Sequence, residues 1–202
     1  MIHPTAIIDR HARIGEGTTV GPWTIIGAAG EIRDDRREKI GPVDVGENTI
    51  IREMVTIHDG ASIGDNCYIM AHSHVGHDAF VWDDTTISTA AIIGGHCVLM
   101  RGANIGLNAT LHQWVIVGAY AMIGAGAVVV DHVPPFCTVA GNPARVIGTN
   151  TRGLERARKT QDIPEWWDNQ YVDAWQESRR LRNQVYPRGV CKNKGGSVHC
   201  LG

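Results

Sequence analysis

Residues 45–74 read VGENTIIREMVTIHDGASIGDNCYIMAHSH, five units of six that each open on a branched aliphatic residue: Val45, Ile51, Ile57, Ile63 and Ile69. Stepping on by six, the beat continues without a miss to Val129, fifteen positions in all. Four residues after each stands a small or compact side chain, as at Thr49, Ala61, Cys67, Ser73, Ala91 and Ala127. A helix repeats about every 3.6 residues and a strand every two, so neither alone gives a period of six. A hexad that makes one short strand and one turn does give it, and three hexads close one triangular coil of a parallel β-helix. The aliphatic side chain then fills the prism, and the small one fits the crowded corner.

An earlier run, Ile2, Ile8, Ile14, Val20 and Ile26, keeps the same beat but out of phase with the second. The charged segment GEIRDDRREKIGP (30–42) fits as a loop inserted between them, within bounds of 28–44. After Val133 the prolines of VPPFCTVAGNPARVIG are expected to stop further ladder pairing. The expected fold is therefore an all-β solenoid over 1–140, a helical region over 141–187 and a flexible tail over 188–202. Within the helical region, 152–159 and 164–186 read as helices. Pro164 can start the second, and Trp167, Tyr171 and Trp175 form its packing stripe.

Composition narrows the function. The 202 residues carry a net charge of −2, which gives no bias toward nucleic acid or a membrane surface. No segment approaches the roughly 18–20 apolar residues of a membrane span, and the opening MIHPTAIIDR has no apolar run, so the expected location is the cytoplasm. The five cysteines, at 67, 97, 137, 191 and 200, match no disulfide framework.

Chemistry concentrates in AHSHVGHDAFVW (71–82), which holds His72, His74 and His77. With eighteen residues per coil, positions eighteen apart stack at about 4.8 Å. The hexads opening at Ile57, Val75, Ile93 and Leu111 lie above one another, and their second to fourth positions hold His58, His77, His96 and His112. Four coils thus bring four histidines to one corner, while His11 and His132 read as ordinary surface residues. Two chemistries use such a corner. Neutral imidazole binds zinc, and His72 and His77 are a candidate pair. Alternatively, a histidine near its usual pKa removes a proton from a nucleophile attacking a thioester, with Asp78 beside His77 to fix its tautomer. The glycine turn IIGGH (92–96) offers a backbone N–H to the oxyanion formed in such a step.

The stretches IREMVTIHDG, AHSHVGHDA, IGGHCVL, GLNATLHQWVIVGA and VAGNPARVIGTNTRGLER together resemble the UDP-N-acetylglucosamine O-acyltransferases that begin lipid A synthesis. Hexapeptide families wind this prism left-handed, a handedness that the period alone does not dictate. The resemblance implies that His77 is the general base and Asp78 its support. It implies further that His74 contacts the sugar and that His96 lies near the acyl donor or the sugar, with His112 and Gln113 in the nucleotide and donor region; His58, aligned with them in the column, is a further candidate for binding substrate. Asn150 and Arg156 match contacts to the nucleotide and to the pantetheine or carrier-protein side, and Ala125 a position that sets acyl-chain depth. It also implies a homotrimer with sites between adjacent prisms, acyl carrier protein as partner, and no cofactor beyond the thioester donor. Arg152 departs from the family, standing where an acidic nucleoside contact is usual. The loop at 30–42 lacks the usual QDLKY, and Asp34 and Arg36 are its nearest substitutes.

Three other readings compete. An acetyl-CoA-dependent N-acetyltransferase of a nucleotide-linked amino sugar would use the same prism and base. A zinc hydratase similar to the γ-class carbonic anhydrases would need a third histidine two coils before His72, where Arg36 stands. A non-catalytic scaffold would leave the aligned histidines unexplained. Charge adds one expectation: from Asn150 onward ten Lys or Arg face six Asp or Glu, a basic segment suited to docking an acidic carrier protein.

Overall fold

The computed structural model describes residues 1–30 and 41–160. The second helix expected at 164–186, its aromatic stripe, and the tail at 188–202 lie outside these residues, as do Asp34 and Arg36. Two-residue strands recur every six positions and assemble into three sheets of seven, six and eight strands, parallel but for the last strand of the third, the faces of a triangular prism. Face I stacks Ile57, Val75, Ile93 and Leu111, and face II stacks Val45, Ile63, Val81 and Leu99. Face III stacks Ile51, Ile69, Ile87 and Ile105.

The two sequence columns are the core. All fifteen aliphatic positions from Val45 to Val129, and the fifteen compact positions from Thr49 to Val133, are at most 4% exposed. Buried hydroxyls among them are satisfied within the coil: Thr49 donates to the Gly64 carbonyl at 3.0 Å and Ser73 to that of Met70 at 2.7 Å. The phase break is an insertion. Ile26 pairs with Ile57, 31 residues on, where eighteen is the normal interval, so the extra chain is the length of segment 30–42. The strands on either side of it are Ile25–Ala28 on face I and Asp44–Val45 on face II.

The ladder runs further than the prolines suggest. Val133 bridges to Val117, Cys137–Gly141 extends face III, and Ala144–Thr149 pairs antiparallel with that strand. Strand structure thus continues past residue 140 to Thr149. Pro134 and Pro135 occupy the turn that joins two rungs, where no ladder N–H is required. The helix expected at 152–159 is Thr151–Thr160. Asn150 caps it, its Oδ1 accepting the Gly153 N–H at 3.2 Å. No helix among the described residues is long and apolar enough to cross a membrane.

Candidate functional site

The corner between faces I and II carries the histidines because each hexad turns there at its second to fourth positions. In four successive rungs the second position holds His58, Gly76, Gly94 and His112, and the third holds Asp59, His77, Gly95 and Gln113. The fourth holds Gly60, Asp78, His96 and Trp114, each with φ between 55° and 71° (Trp114, 67°, included). Glycines thus alternate with functional side chains and carve a cleft of about 310 Å³. Its walls are His58, His74, Gly76 and His77 on the earlier rungs, and Gly94, Gly95, His112 and Gln113 on the later ones.

His77 sits in this notch, its side chain 19% exposed. Its Nδ1 lies 2.9 Å from Asp78 Oδ2. An ionised carboxylate only accepts, so Nδ1 carries the proton and Nε2 is left as a lone pair. That nitrogen lies along the glycine doublet: a Cβ built on Gly95 would come within 2.6 Å of Nε2. On the other side, a Cβ on Gly30 would come within 3.1 Å of the His77 Cβ. Two residues without side chains therefore make room for one imidazole. The same acceptor-only logic fixes two more rings, since His58 Nδ1 donates to the Ala29 carbonyl at 2.9 Å and His112 Nδ1 to that of Gln113 at 3.1 Å. His77 and His112 each turn a bare Nε2 away from the oxygen that holds them, as a base or a hydroxyl acceptor requires.

His96 meets His77 edge to face, ring centroids 4.8 Å apart, and its Nε2 stands 3.8 Å from the same Asp78 oxygen. Burial holds its pKa below the ordinary value, aided by His77 and opposed by Asp78. His58 and His74 form a second pair at 4.7 Å. The amides of the glycine turn differ among themselves. Gly94 N–H is bonded to the Leu111 carbonyl and His96 N–H to that of His77, while Gly95 N–H has no acceptor among the described residues. At equivalent third positions elsewhere an aspartate one coil on accepts this amide, as Asp65 does for Glu47 at 2.7 Å and Asp83 for Asp65 at 3.0 Å. One coil beyond Gly95 stands Gln113, and the amide stays available for an oxyanion.

The expected residues divide by edge. His58, His74, His77, Asp78, His96, His112 and Gln113 come together here. Ala125 lies on the edge between faces III and I. Asn150 and Arg156 lie beside the edge between faces II and III: Asn150 Nδ2 donates to the Tyr120 carbonyl at 2.8 Å, and the Arg156 guanidinium sits 5.9 Å from the Tyr120 ring centre. Both ends of the Asn150 amide are thus engaged in holding the helix. His132 is more than a surface residue, because its Nδ1 accepts the Ile116 N–H at 3.1 Å. The zinc pair fails on geometry, since His72 turns at the III–I edge, one face away from His77. His77, Asp78 and His96 do present atoms within 4.8 Å of one another. A tetrahedral zinc with bonds of about 2.0–2.1 Å spaces its ligand atoms at roughly 3.4 Å, so this trio is arranged for sharing protons, at 2.9 and 3.8 Å from one oxygen. Of the glycines here, the turn at 92–96 is legible from its sequence, whereas Trp114, Gly30 and Gly76 carry no signal of their own in residue type, although the count of eighteen places Trp114 and Gly76 at this corner.

A family model described as UDP N-acetylglucosamine O-acyltransferase, domain 2, matches residues 132–166. The acyl-[acyl-carrier-protein]--UDP-N-acetylglucosamine O-acyltransferase of Saccharophagus degradans is 40% identical over 203 aligned residues, covering 80% of this chain and 79% of that one. This chain belongs to that acyltransferase family. The enzyme of that name from Stutzerimonas stutzeri is 30% identical over 198 residues, covering 77% of each chain. Among solved structures, the UDP-N-acetylglucosamine acyltransferase of Bacteroides fragilis superposes with a TM-score of 0.69 at 24% identity, over 94% of this chain and 86% of that one. The Francisella novicida acyltransferase gives 0.67 at 26% identity, over 94% and 81%. The fold shared with these acyltransferases is the left-handed parallel β-helix. The N-acetyltransferase and zinc-enzyme readings find no support in these relatives.

Proposed function

We propose that the I–II corner transfers an acyl group from acyl carrier protein to the 3-hydroxyl of UDP-N-acetylglucosamine or a close analogue, in the cytoplasm and within a homotrimer. The observation that carries the chemistry is the His77–Asp78 pair. The carboxylate takes Nδ1–H, and Nε2 faces a notch whose wall holds the Gly95 N–H, which has no acceptor among the described residues. His77 Nε2 takes the proton as the hydroxyl oxygen attacks the thioester carbonyl. The Gly95 amide meets the negative oxygen of the tetrahedral intermediate. Collapse of that intermediate breaks the C–S bond, and the departing thiolate regains the proton from His77. No resident cofactor enters the sequence.

The nucleotide and carrier-protein contacts proposed for Asn150 and Arg156, and the acyl-chain depth proposed for Ala125, belong to other edges of the prism, so in one protomer they do not reach His77. A neighbouring prism supplies them in the trimer we propose. His77→Ala tests the mechanism, assayed by mass spectrometry with acyl carrier protein and acetyl-CoA donors against a panel of UDP-sugars. General-base loss lowers turnover by roughly 10²–10⁴-fold. Near-normal turnover in that variant would refute the assignment of the base. Transfer from acetyl-CoA to an amino sugar alone would refute the assigned donor and acceptor.

A further inference from the structure

Trp114 stands at the fourth position of its hexad, one coil beyond His96, and both hold the left-handed backbone, with φ of 67° and 58°. Every fourth position from Asn48 to Gly126 shares this backbone, so the coil accounts for the turn but not for the indole. The indole is half exposed, so core burial does not account for it. What it does is cover His96: the two rings stack with centroids 3.9 Å apart and planes 9° from parallel. His96 is thereby held edge-on to His77, with its Nε2 3.8 Å from Asp78 Oδ2, the oxygen that fixes the His77 tautomer at 2.9 Å. Two imidazoles address one carboxylate oxygen, and only one is within bonding distance. A rotation of His96 by less than 1 Å at its edge would let it share or take that oxygen.

We propose that Trp114 is a positioning residue for acyl transfer: its stack on His96 keeps that ring off Asp78, so that the carboxylate serves His77 alone. This rests on His77 being the base, and its test has a readout independent of that assignment. Without the indole, His96 gains solvent and can close on Asp78, and both changes favour its charged form. The Asp78–His77 bond weakens, and the fraction of His77 in the productive tautomer falls.

The test uses Trp114→Gly and Trp114→Phe. Glycine suits the left-handed backbone at residue 114, so Trp114→Gly removes the stack without straining the fold. Circular dichroism and thermal unfolding of both variants against the parent check this. In Trp114→Gly the ring resonances of His96, followed by NMR against pH, titrate at higher pH than in the parent, and kcat falls about tenfold, a size usual for groups in contact. Trp114→Phe restores both. In a His96→Ala background the Trp114→Gly change costs nothing further, since its target is gone. An unchanged His96 titration in Trp114→Gly, or an equal loss of kcat with and without His96, overturns the proposal. Loss of activity in His77→Ala is a separate result and leaves the His96 titration to be read as before.

Discussion

At the scale of single residues, the site is built as much by missing side chains as by imidazoles. Gly95 makes the point. Its backbone φ is an ordinary one, so alanine is tolerated there by conformation, yet a Cβ would sit 2.6 Å from His77 Nε2 and 2.9 Å from its Cε1. Gly95→Ala should therefore fold normally and push the base out of its notch. The expected outcome is a fall in kcat of about 10²-fold or more with an unchanged circular dichroism spectrum, measured by steady-state kinetics. A second residue-scale prediction concerns acid. Burial lowers the His96 pKa below its ordinary 6.5, so the unfolded chain binds the proton more readily than the native one. The stability tied to His96 is whole above pH 6.5 and is lost as the pH falls from there through the lower native value. Urea unfolding across that range should show this decline, and His96→Gln should flatten it. Counting eighteens put the histidines on one corner from the sequence alone. It could not say which nitrogen holds each proton, because that depends on whether the nearest oxygen is a carboxylate, a carbonyl or water.

At the scale of elements, each hexad is a strand of two residues and a turn whose fourth residue is left-handed from Asn48 to Gly126 without interruption. The sequence does not announce this: only Gly60, Gly102 and Gly126 in that series are glycine, while Met54, Ala90 and Tyr120 are not. Ladder bonds from the coils above and below override local preference, which is why the period was legible and the turn type was not. The helix Thr151–Thr160 shows the same tension. Gly153 lies inside it, where alanine would ordinarily stabilise by about 1 kcal/mol. Here the helix docks closely enough that a Cβ would meet the Tyr120 carbonyl oxygen at 2.5 Å and Asn150 Nδ2 at 2.6 Å. The clash is with backbone and with the capping side chain, so it has no soft way out. Gly153→Ala should destabilise the docked helix by about 1–3 kcal/mol, read as a lower thermal midpoint and loss of amide protection in 151–160. A gain in stability would mean that propensity governs and the docking is loose. Strand pairing beyond Val133 is not legible in the sequence, because the prolines of VPPF read as ladder breakers, whereas they fall in a turn between rungs.

At the scale of the whole molecule, the prism distributes the residues we propose for function over three edges. The I–II corner holds His77, the proposed base, the II–III edge holds Arg156 with Asp83, Asp84 and Arg101 around it, and the III–I edge holds Ala125. Arg101 pairs with Asp83 at 2.7 Å, and Arg156 donates to the Asp84 carbonyl at 3.4 Å, so this second edge is rigid in its own right. A rigid prism cannot fold its edges together, and a site that draws on two of them must take the second from another copy. In a closed ring of three, every site then pairs the I–II corner of one protomer with a different edge of its neighbour. His77→Ala and Arg156→Ala should each be impaired as pure proteins for different reasons. Unfolded together in equal amounts and refolded, they assemble mixed rings. Each site draws its two halves from different chains at random, so about a quarter of the sites receive both intact halves. Activity of the mixture should rise well above either parent, toward that fraction of the unmodified enzyme, while separately refolded and then mixed samples stay low. Sedimentation of the same material checks that the species carrying the activity is the trimer. If co-refolding restores nothing although trimers form, Arg156 and His77 serve the same protomer's chemistry or Arg156 serves none, and the division of labour between edges is wrong.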